Sequence, residues 1–491
     1  MLDGAYGTCA WMLFPSGVTS WSGDDWHYWG VADFQAALSA IADWVKQISW
    51  DGPAAAIDKL IVVGHSNGDN VSAVAPVSGY TSIENYVPYT MWHNSEPSLS
   101  SVLLRSRSTY KHELLVGNLA GIPVAQQHGA ADDNVPAYHG RLMHELLDQA
   151  QWPSEYKELP GKGHWYKGVL TTEYLKDFYR SMVSRSRTAK VLPQTFTITV
   201  PASGTLGSKA GIQVDQLQTP DVNDNKTWHI STRNIHRFHF SEASSLVELP
   251  ETIVLDGMNG SFEVHFAQKA QTWLVRDAEG KWEISHDTRW KTVHQRYGRQ
   301  LGALDAILRT QGTFTIRGCS PGVDSVALQI SRNLFQYFAA DSQIIESCSN
   351  NTLQHQPGNV ITLAVGHDLP PAPMETYPIQ IDQGRLVIST SGSLSALPAL
   401  REEYVFGEPG LGAVFLRPCP GETLELVVWG TDLDGLRQAA RLVPTITGSG
   451  QPEYVVLGDS SRWEGVAGAY AAGHLDWSWQ ISPSSYQSDP I

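Results

Sequence analysis

Apolar positions in the first third of the chain follow two rhythms. From Val31 they recur at Phe34, Leu38, Ile41, Val45 and Ile48, the spacing of one helical face. Between such stretches stand short apolar runs the length of buried strands: Trp11-Met12-Leu13-Phe14, Leu60-Ile61-Val62-Val63, Val71 to Val77, and Ile122-Pro123-Val124-Ala125. Leu142, Leu146 and Leu147 mark a further helix, and Leu175, Phe178, Tyr179 and Met182 another. Strands alternating with helices predict a parallel sheet covered by helices over residues 1–188, closed by the polar stretch Ser184-Arg185-Ser186-Arg187-Thr188. The rhythm then changes to period two. Phe196, Ile198 and Val200 alternate with threonines, and Phe262, Val264 and Phe266 with polar residues, which predicts a β-sandwich over residues 192–292.

From residue 293 to 491 the α/β pattern returns. Thr313-Phe314-Thr315-Ile316 reads as a strand, and Val326, Ile330, Leu334 and Phe338 share a helical face. A strand from Leu424 to Trp429, a helix capped by Asp432 and carrying Leu436, Ala440 and Val443, and a strand from Tyr454 to Leu457 read as a βαβ unit. Gly366-His367-Asp368, after the run Val360 to Val365, is a turn at a strand end with no phosphate-loop pattern.

Composition narrows the partners. The 491 residues leave room for several domains, and 42% hydrophobic with 17% charged residues describes an ordinary globular chain. A net charge of -16 without Lys/Arg clusters argues against nucleic acid and anionic membranes. No apolar run nears the roughly 18 residues of a membrane span. The start, Met1-Leu2-Asp3-Gly4, is acidic where a signal peptide is basic. Cys9, Cys319, Cys348 and Cys419 have no metal-type spacing and define no disulfide framework. Sequons at Asn70, Asn225, Asn259 and Asn350 matter only in a secreted protein, so the compartment stays open. His139 and His144, five apart, miss the spacing that puts two ligands on one helix face, and no metal or cofactor is expected. Most of the 17 tryptophans are expected in the core, with Trp21, Trp26, Trp29 and His27 lining a substrate pocket.

The chemistry lies in three segments. Gly64-His65-Ser66-Asn67-Gly68 after an apolar run is the Gly-x-Ser-x-Gly elbow that exposes a nucleophilic serine at a strand-to-helix turn. His128-Gly129-Ala130-Ala131-Asp132-Asp133-Asn134-Val135-Pro136 supplies an acid and Gly161-Lys162-Gly163-His164 a base. Ser, Asp, His is the chain order of α/β-hydrolase triads. Ser66 would attack an acyl carbon, His164 would take its proton and return it to the leaving group, and Asp132 would orient the imidazole. The backbone N–H of Asn67 would be one oxyanion donor.

With the loop from Gly17 through Trp26-His27, Gly30 and Asp33-Phe34, these motifs resemble the prolyl oligopeptidase-type serine peptidases over residues 10 to about 183, most of all secreted-type fungal members with a long C-terminal extension. The resemblance implies a partial α/β-hydrolase domain ahead of the sandwich and the C-terminal α/β region. It makes Asp132, not Asp133, the catalytic acid, and implies cleavage of peptide bonds through an acyl-enzyme. The expected partner is a peptide or small acyl substrate. A serine esterase uses the same triad, and a non-catalytic pseudo-hydrolase acting as a scaffold is the rival from another class. The family carries a full helix after the elbow, whereas only Asn67, Gly68, Asp69 and Asn70 separate Ser66 from the next apolar run here. A parallel crossover normally takes a dozen or more residues. The family's first three strands, its second oxyanion loop and its N-terminal β-domain also have no counterpart. An incomplete or mis-spliced form of a larger enzyme explains this better than decay, because decay would also erode the triad.

Overall fold

Four short strands, β1 (Ile61–His65), β2 (Ala73–Val77), β3 (Val124–Gly129) and β4 (Ser154–Leu159), lie in that order with every neighbouring pair parallel. The computed structural model describes residues 11–13, 29–53, 55, 60–65, 73–86, 95–152, 154–184, 193–201, 209–216, 227–240, 250–257, 262–263, 273–277, 280–285, 288–346, 348, 358–391, 401–443 and 450–488. Helices α1 (Trp29–Gln47), α2 (Ile83–Tyr86), α3 (Pro97–Arg107), α4 (Tyr138–Gln149) and α5 (Glu173–Ser184) accompany the sheet. The period-two geometry of β3 sorts its side chains between two helices. Val124 packs with Leu147 of α4, while Ala125 packs with Leu175, Phe178 and Tyr179 of α5.

Two expectations fail here. Residues 11–13 are irregular, and Trp11 lies edge-on to Trp44 and Trp50. The parallel pair β1–β2 closes across residues 66–72, seven in all, with Ile61 opposite Ala73 and His65 opposite Val77. The return distance is about 14 Å at ~3.3 Å per strand residue, and eight extended steps reach roughly 27 Å. The length therefore suffices without a dozen residues. The post-elbow segment itself lies outside the described residues, as do 21–28 and the sequon asparagines.

The next region pairs two sheets. One holds β5 (Thr195–Pro201), β6 (Lys209–Gln216), β7 (Thr227–Arg233), β9 (Thr252–Leu255) and β10 (Phe262–Glu263); the other holds β8 (Arg237–His239), β11 (Trp273–Arg276) and β12 (Trp282–Ser285). Alternate residues of the first sheet (Phe196, Val214, Trp228, Ile230, Ile253, Leu255) meet Leu274 and Trp282 of the second, which is a sandwich core. Val264 and Phe266 lie outside the described residues.

The last region is built on an eight-stranded mixed sheet. Its chain order is β13 (Phe314–Gly318), α6 (Asp324–Phe338), β14 (Ser342–Ile345), β15 (Val360–Val365), then a small antiparallel sheet β16 (Ile379–Asp382), β17 (Arg385–Ser391) and β18 (Arg401–Phe406). There follow β19 (Gly412–Pro418), β20 (Leu424–Gly430), α7 (Leu433–Ala440), β21 (Tyr454–Leu457), β22 (Ala469–Gly473) and β23 (Tyr486–Gln487). β14, β13, β15 and β20 run parallel, and β19 turns the sheet antiparallel. The βαβ reading of 424–457 holds in split form: β19 stands between β20 and β21 and opposes both, so the two strands flanking α7 run parallel with one strand between them. The helix signals hold: Val326, Ile330, Leu334 and Phe338 are buried, and the Asp432 carboxylate accepts the Asp434 and Gly435 N–H groups. Val443 is buried but lies beyond the end of α7.

The fold is mixed α/β: a parallel four-stranded sheet with its helices, a β-sandwich region and a C-terminal α/β region. Asn118 clamps β5 of the sandwich, giving its Nδ2–H to Thr199 O at 2.8 Å and taking the Thr199 N–H at 2.7 Å. From α3, Leu99 and Val102 pack with Ala469 and Ala472 of β22. Trp228, Trp282, Trp429 and Trp479 are core, but Trp11, Trp44, Trp50, Trp165, Trp463 and Trp477 are exposed, so tryptophan is less of a core residue here than its hydrophobicity suggests. Among the described residues no helix is long and apolar enough to cross a membrane.

Candidate active site

The three candidate residues come after three of the four strands. Ser66 follows β1, Asp132 lies in the loop after β3, and His164 in the loop after β4. Ser66 and Asn67 lie outside the described residues. Asp132 and His164 are brought together: His164 Nδ1 lies 2.9 Å from Asp132 Oδ2, with side-chain exposures of 3% and 0%. The tautomer that donates from Nδ1 leaves Nε2 to act as a base. Burial matters here, because a hydrogen bond to a desolvated carboxylate is roughly twice as strong as a neutral one.

The acid loop folds around its own carboxylate. Asp132 Oδ1 accepts the Asn134 N–H at 3.0 Å and the Val135 N–H at 2.8 Å, an Asx-type turn that an aspartate at this position favours. Burial alone would raise the Asp132 pKa. The Val135 amide, His164 and the Asn134 amide outweigh it and hold the carboxyl below its ordinary value. Asp133, its neighbour, is exposed.

β3 fixes both loops, a feature its motif did not announce. Gln127 reaches the histidine loop: its Nε2–H groups go to Tyr166 Oη at 2.7 Å and Val169 O at 2.9 Å, and its Oε1 accepts the Thr172 hydroxyl at 2.5 Å. His128, next along, turns the other way and reaches Val135 O at 2.8 Å. At Gly129 the loops cross so closely that a Cβ would collide with the carbonyl oxygens of Lys162 and Gly163. The Ala131 N–H donates to Lys162 O at 2.8 Å across the same crossing. At the end of β2, Ser78 holds φ +54° and is buried, a strained non-glycine conformation beside the strand that carries the elbow. Trp165 is 59% exposed and lies edge-on to the His164 ring at 5.2 Å.

Other candidates resolve as structure. His139 is buried against Thr81, with Nδ1 3.2 Å from its hydroxyl, and His144 Nδ1 lies 2.8 Å from the Ser154 hydroxyl. Gly366–Asp368 is a 3-10 turn whose Gly366 carbonyl accepts the Trp429 Nε1–H. A second Gly-x-Ser-x-Gly, Gly318-Cys319-Ser320-Pro321-Gly322, also runs from a strand toward a helix. Ser320 lacks the positive φ of a strained elbow, its Oγ accepts the Val365 N–H at 2.8 Å, and Cys319 is disulfide-bonded to Cys348. That serine ties β13 to β15. Cysteine spacing alone does not announce the disulfide, since the two cysteines become neighbours only when β13 and β14 pair.

No known family model matches the chain. It is 45% identical over 514 residues to an uncharacterized secreted protein of Arthroderma benhamiae, an alignment covering 99% of this chain and 54% of that protein. The chain thus spans about half the length of the curated relative it matches. Among solved structures, a puromycin-hydrolyzing peptidase of Mycobacterium tuberculosis shares 16% identity at a TM-score of 0.21, over 30% of this chain and 25% of that one. A sugar hydrolase of Lactococcus lactis shares 18% at 0.21, over 31% and 64%. An acetyl ester-xyloside bifunctional hydrolase of Caldicellulosiruptor lactoaceticus shares 15% at 0.21, over 30% and 62%.

Proposed function

We propose that this chain is a serine-type hydrolase, of the prolyl oligopeptidase kind, that cleaves peptide bonds by acyl transfer to water. The observation that supports it is the buried 2.9 Å bond between Asp132 and His164, on the loops after neighbouring strands, with Ser66 the next residue in sequence after β1 of the same sheet. In this reading Ser66 Oγ attacks the scissile carbonyl carbon while His164 Nε2 takes the hydroxyl proton. Asp132 stabilises the imidazolium, and the Asn67 N–H receives the developing oxyanion. The C–N bond breaks as His164 returns the proton to the leaving amine, and water, deprotonated by the same histidine, releases the acid. The Cys319–Cys348 bond points to an oxidising compartment, in keeping with a relative described as secreted.

Fluorophosphonate labelling of the purified, folded chain tests this, with Ser66→Ala and heat-denatured controls. Labelling should vanish in Ser66→Ala, and Asp132→Asn should lower turnover by about 10⁴-fold through loss of the productive tautomer. Absence of labelling in a folded sample would leave the scaffold reading. Turnover of p-nitrophenyl esters without turnover of peptide amides would make the chain an esterase.

A further inference from the structure

We propose that His128 is a positioning residue for the acid, holding the Asp132–Val135 turn so that Asp132 Oδ2 faces His164; this rests on the hydrolase reading above. The geometry is a closed clamp. His128 Nε2 lies 2.8 Å from Val135 O and 3.4 Å from Asp132 Oδ2, and Val135 returns its own N–H to Asp132 Oδ1 at 2.8 Å. A carbonyl oxygen can only accept, so Nε2 carries the proton. The 3.4 Å approach to the carboxylate is longer than a hydrogen bond and is an electrostatic contact beside it. Oδ2 is therefore faced by two imidazoles, one from each side of the catalytic loops.

The surroundings hold that ring in place. It is 1% exposed, and on its far side Gly140 of α4 comes so close that a Cβ there would sit 2.9 Å from His128 Nδ1 and 2.9 Å from the Tyr156 ring. The charged and titratable groups around it come from every neighbouring element: Asp132 from the acid loop, His164 from the histidine loop, Glu158 and Tyr156 from β4, and His139 from α4. A second imidazolium there would face His164 as a like charge. Desolvation keeps His128 below the usual histidine range, and so neutral when His164 becomes charged.

The test compares two variants in the full chain. His128→Gln keeps an N–H donor near the Nε2 position, whereas His128→Phe keeps a flat ring without one. With p-nitrophenyl butyrate, His128→Phe should lower kcat roughly 10- to 100-fold at nearly unchanged KM. It should also move the acid limb of the kcat/KM profile upward, since Oδ2 then serves His164 alone. His128→Gln should recover most of the loss. Equal loss in both variants, or loss confined to KM, would overturn the assignment. Should either variant fail to fold, ring-nitrogen NMR of the wild-type chain decides. An Nε2–H neutral tautomer at pH 7 is expected, and an Nδ1–H tautomer or an imidazolium there overturns it. A folded wild-type chain that no fluorophosphonate labels overturns the hydrolase reading and this role with it. A labelled wild type with an equally reactive His128→Phe overturns this role alone.

Discussion

Asp132 shows how little freedom a buried carboxylate is left. Two backbone amides hold one oxygen and two imidazoles face the other, so rotation of the side chain would break several interactions at once. The same economy governs Gly129, where the acid and histidine loops touch through backbone atoms alone. A methyl group there has nowhere to go, because its neighbours are main-chain carbonyls and not the ends of flexible side chains. Gly129→Ala should therefore cost about 1–3 kcal/mol of stability, the usual range for overpacking. It should lower activity further than stability predicts, by parting His164 from Asp132. Urea unfolding paired with fluorophosphonate labelling measures both. A variant of wild-type stability and reactivity would mean that the crossing tolerates a side chain.

At the scale of elements, strand ends place the chemistry and strand pairing places the crosslink. The disulfide joins the segments just after β13 and β14, which run parallel, across 29 residues of sequence. Closing a loop of that length removes denatured-state entropy worth about 3–4 kcal/mol in the chain-entropy account. Reduction, or Cys348→Ser, should lower the unfolding midpoint of the C-terminal region accordingly, and an unmoved midpoint under reductant would refute the contribution. The sequence made the periodic elements legible, since α1, α4, α5 and α6 each present a clean apolar face. It concealed what depends on partners. β4 reads Ser-Glu-Tyr-Lys-Glu-Leu, polar enough to pass for a loop, and is a strand because β3 supplies its hydrogen bonds. β19 intrudes between β20 and β21 because a local pattern carries no information on sheet order. The Asp132 and His164 segments were legible as motifs, whereas the Gln127 and His128 anchors were not, as their partners lie in loops whose course the sequence does not state.

Across the whole molecule, two histidines sit where regions meet, which makes pH a probe of the assembly. His474 is fully buried with Nε2 3.2 Å from the Ser106 hydroxyl of α3, joining the first and C-terminal regions. His236 of the sandwich region stacks on Trp477 at 3.7 Å, joining that region to the last. His128 of β3 and His139 of α4 are buried within the first region. Desolvation holds all four below the ordinary histidine value, His236 at about 4 with Arg237 and Arg276 adding to the effect. A group whose folded pKa lies below its unfolded one takes up protons first in the unfolded chain. Stability is therefore complete above about pH 6.5 and falls as pH drops from there toward the folded values, by roughly 1.4 kcal/mol per pH unit for each imidazole that stays neutral. The depressed carboxyls of Asp132, Asp256, Glu425 and Asp432 act in the same direction only at lower pH, from the ordinary carboxyl range downward. The melting temperature should thus begin to fall between pH 6.5 and 5, before any carboxylate titrates. Because His236 and His474 lie at the joints, interregion contacts should loosen first. Circular dichroism melts from pH 8 to 4, paired with limited proteolysis at pH 5, follow both effects. A flat melting temperature down to pH 5 would show that these histidines ionise in place and that the joints do not depend on their neutrality.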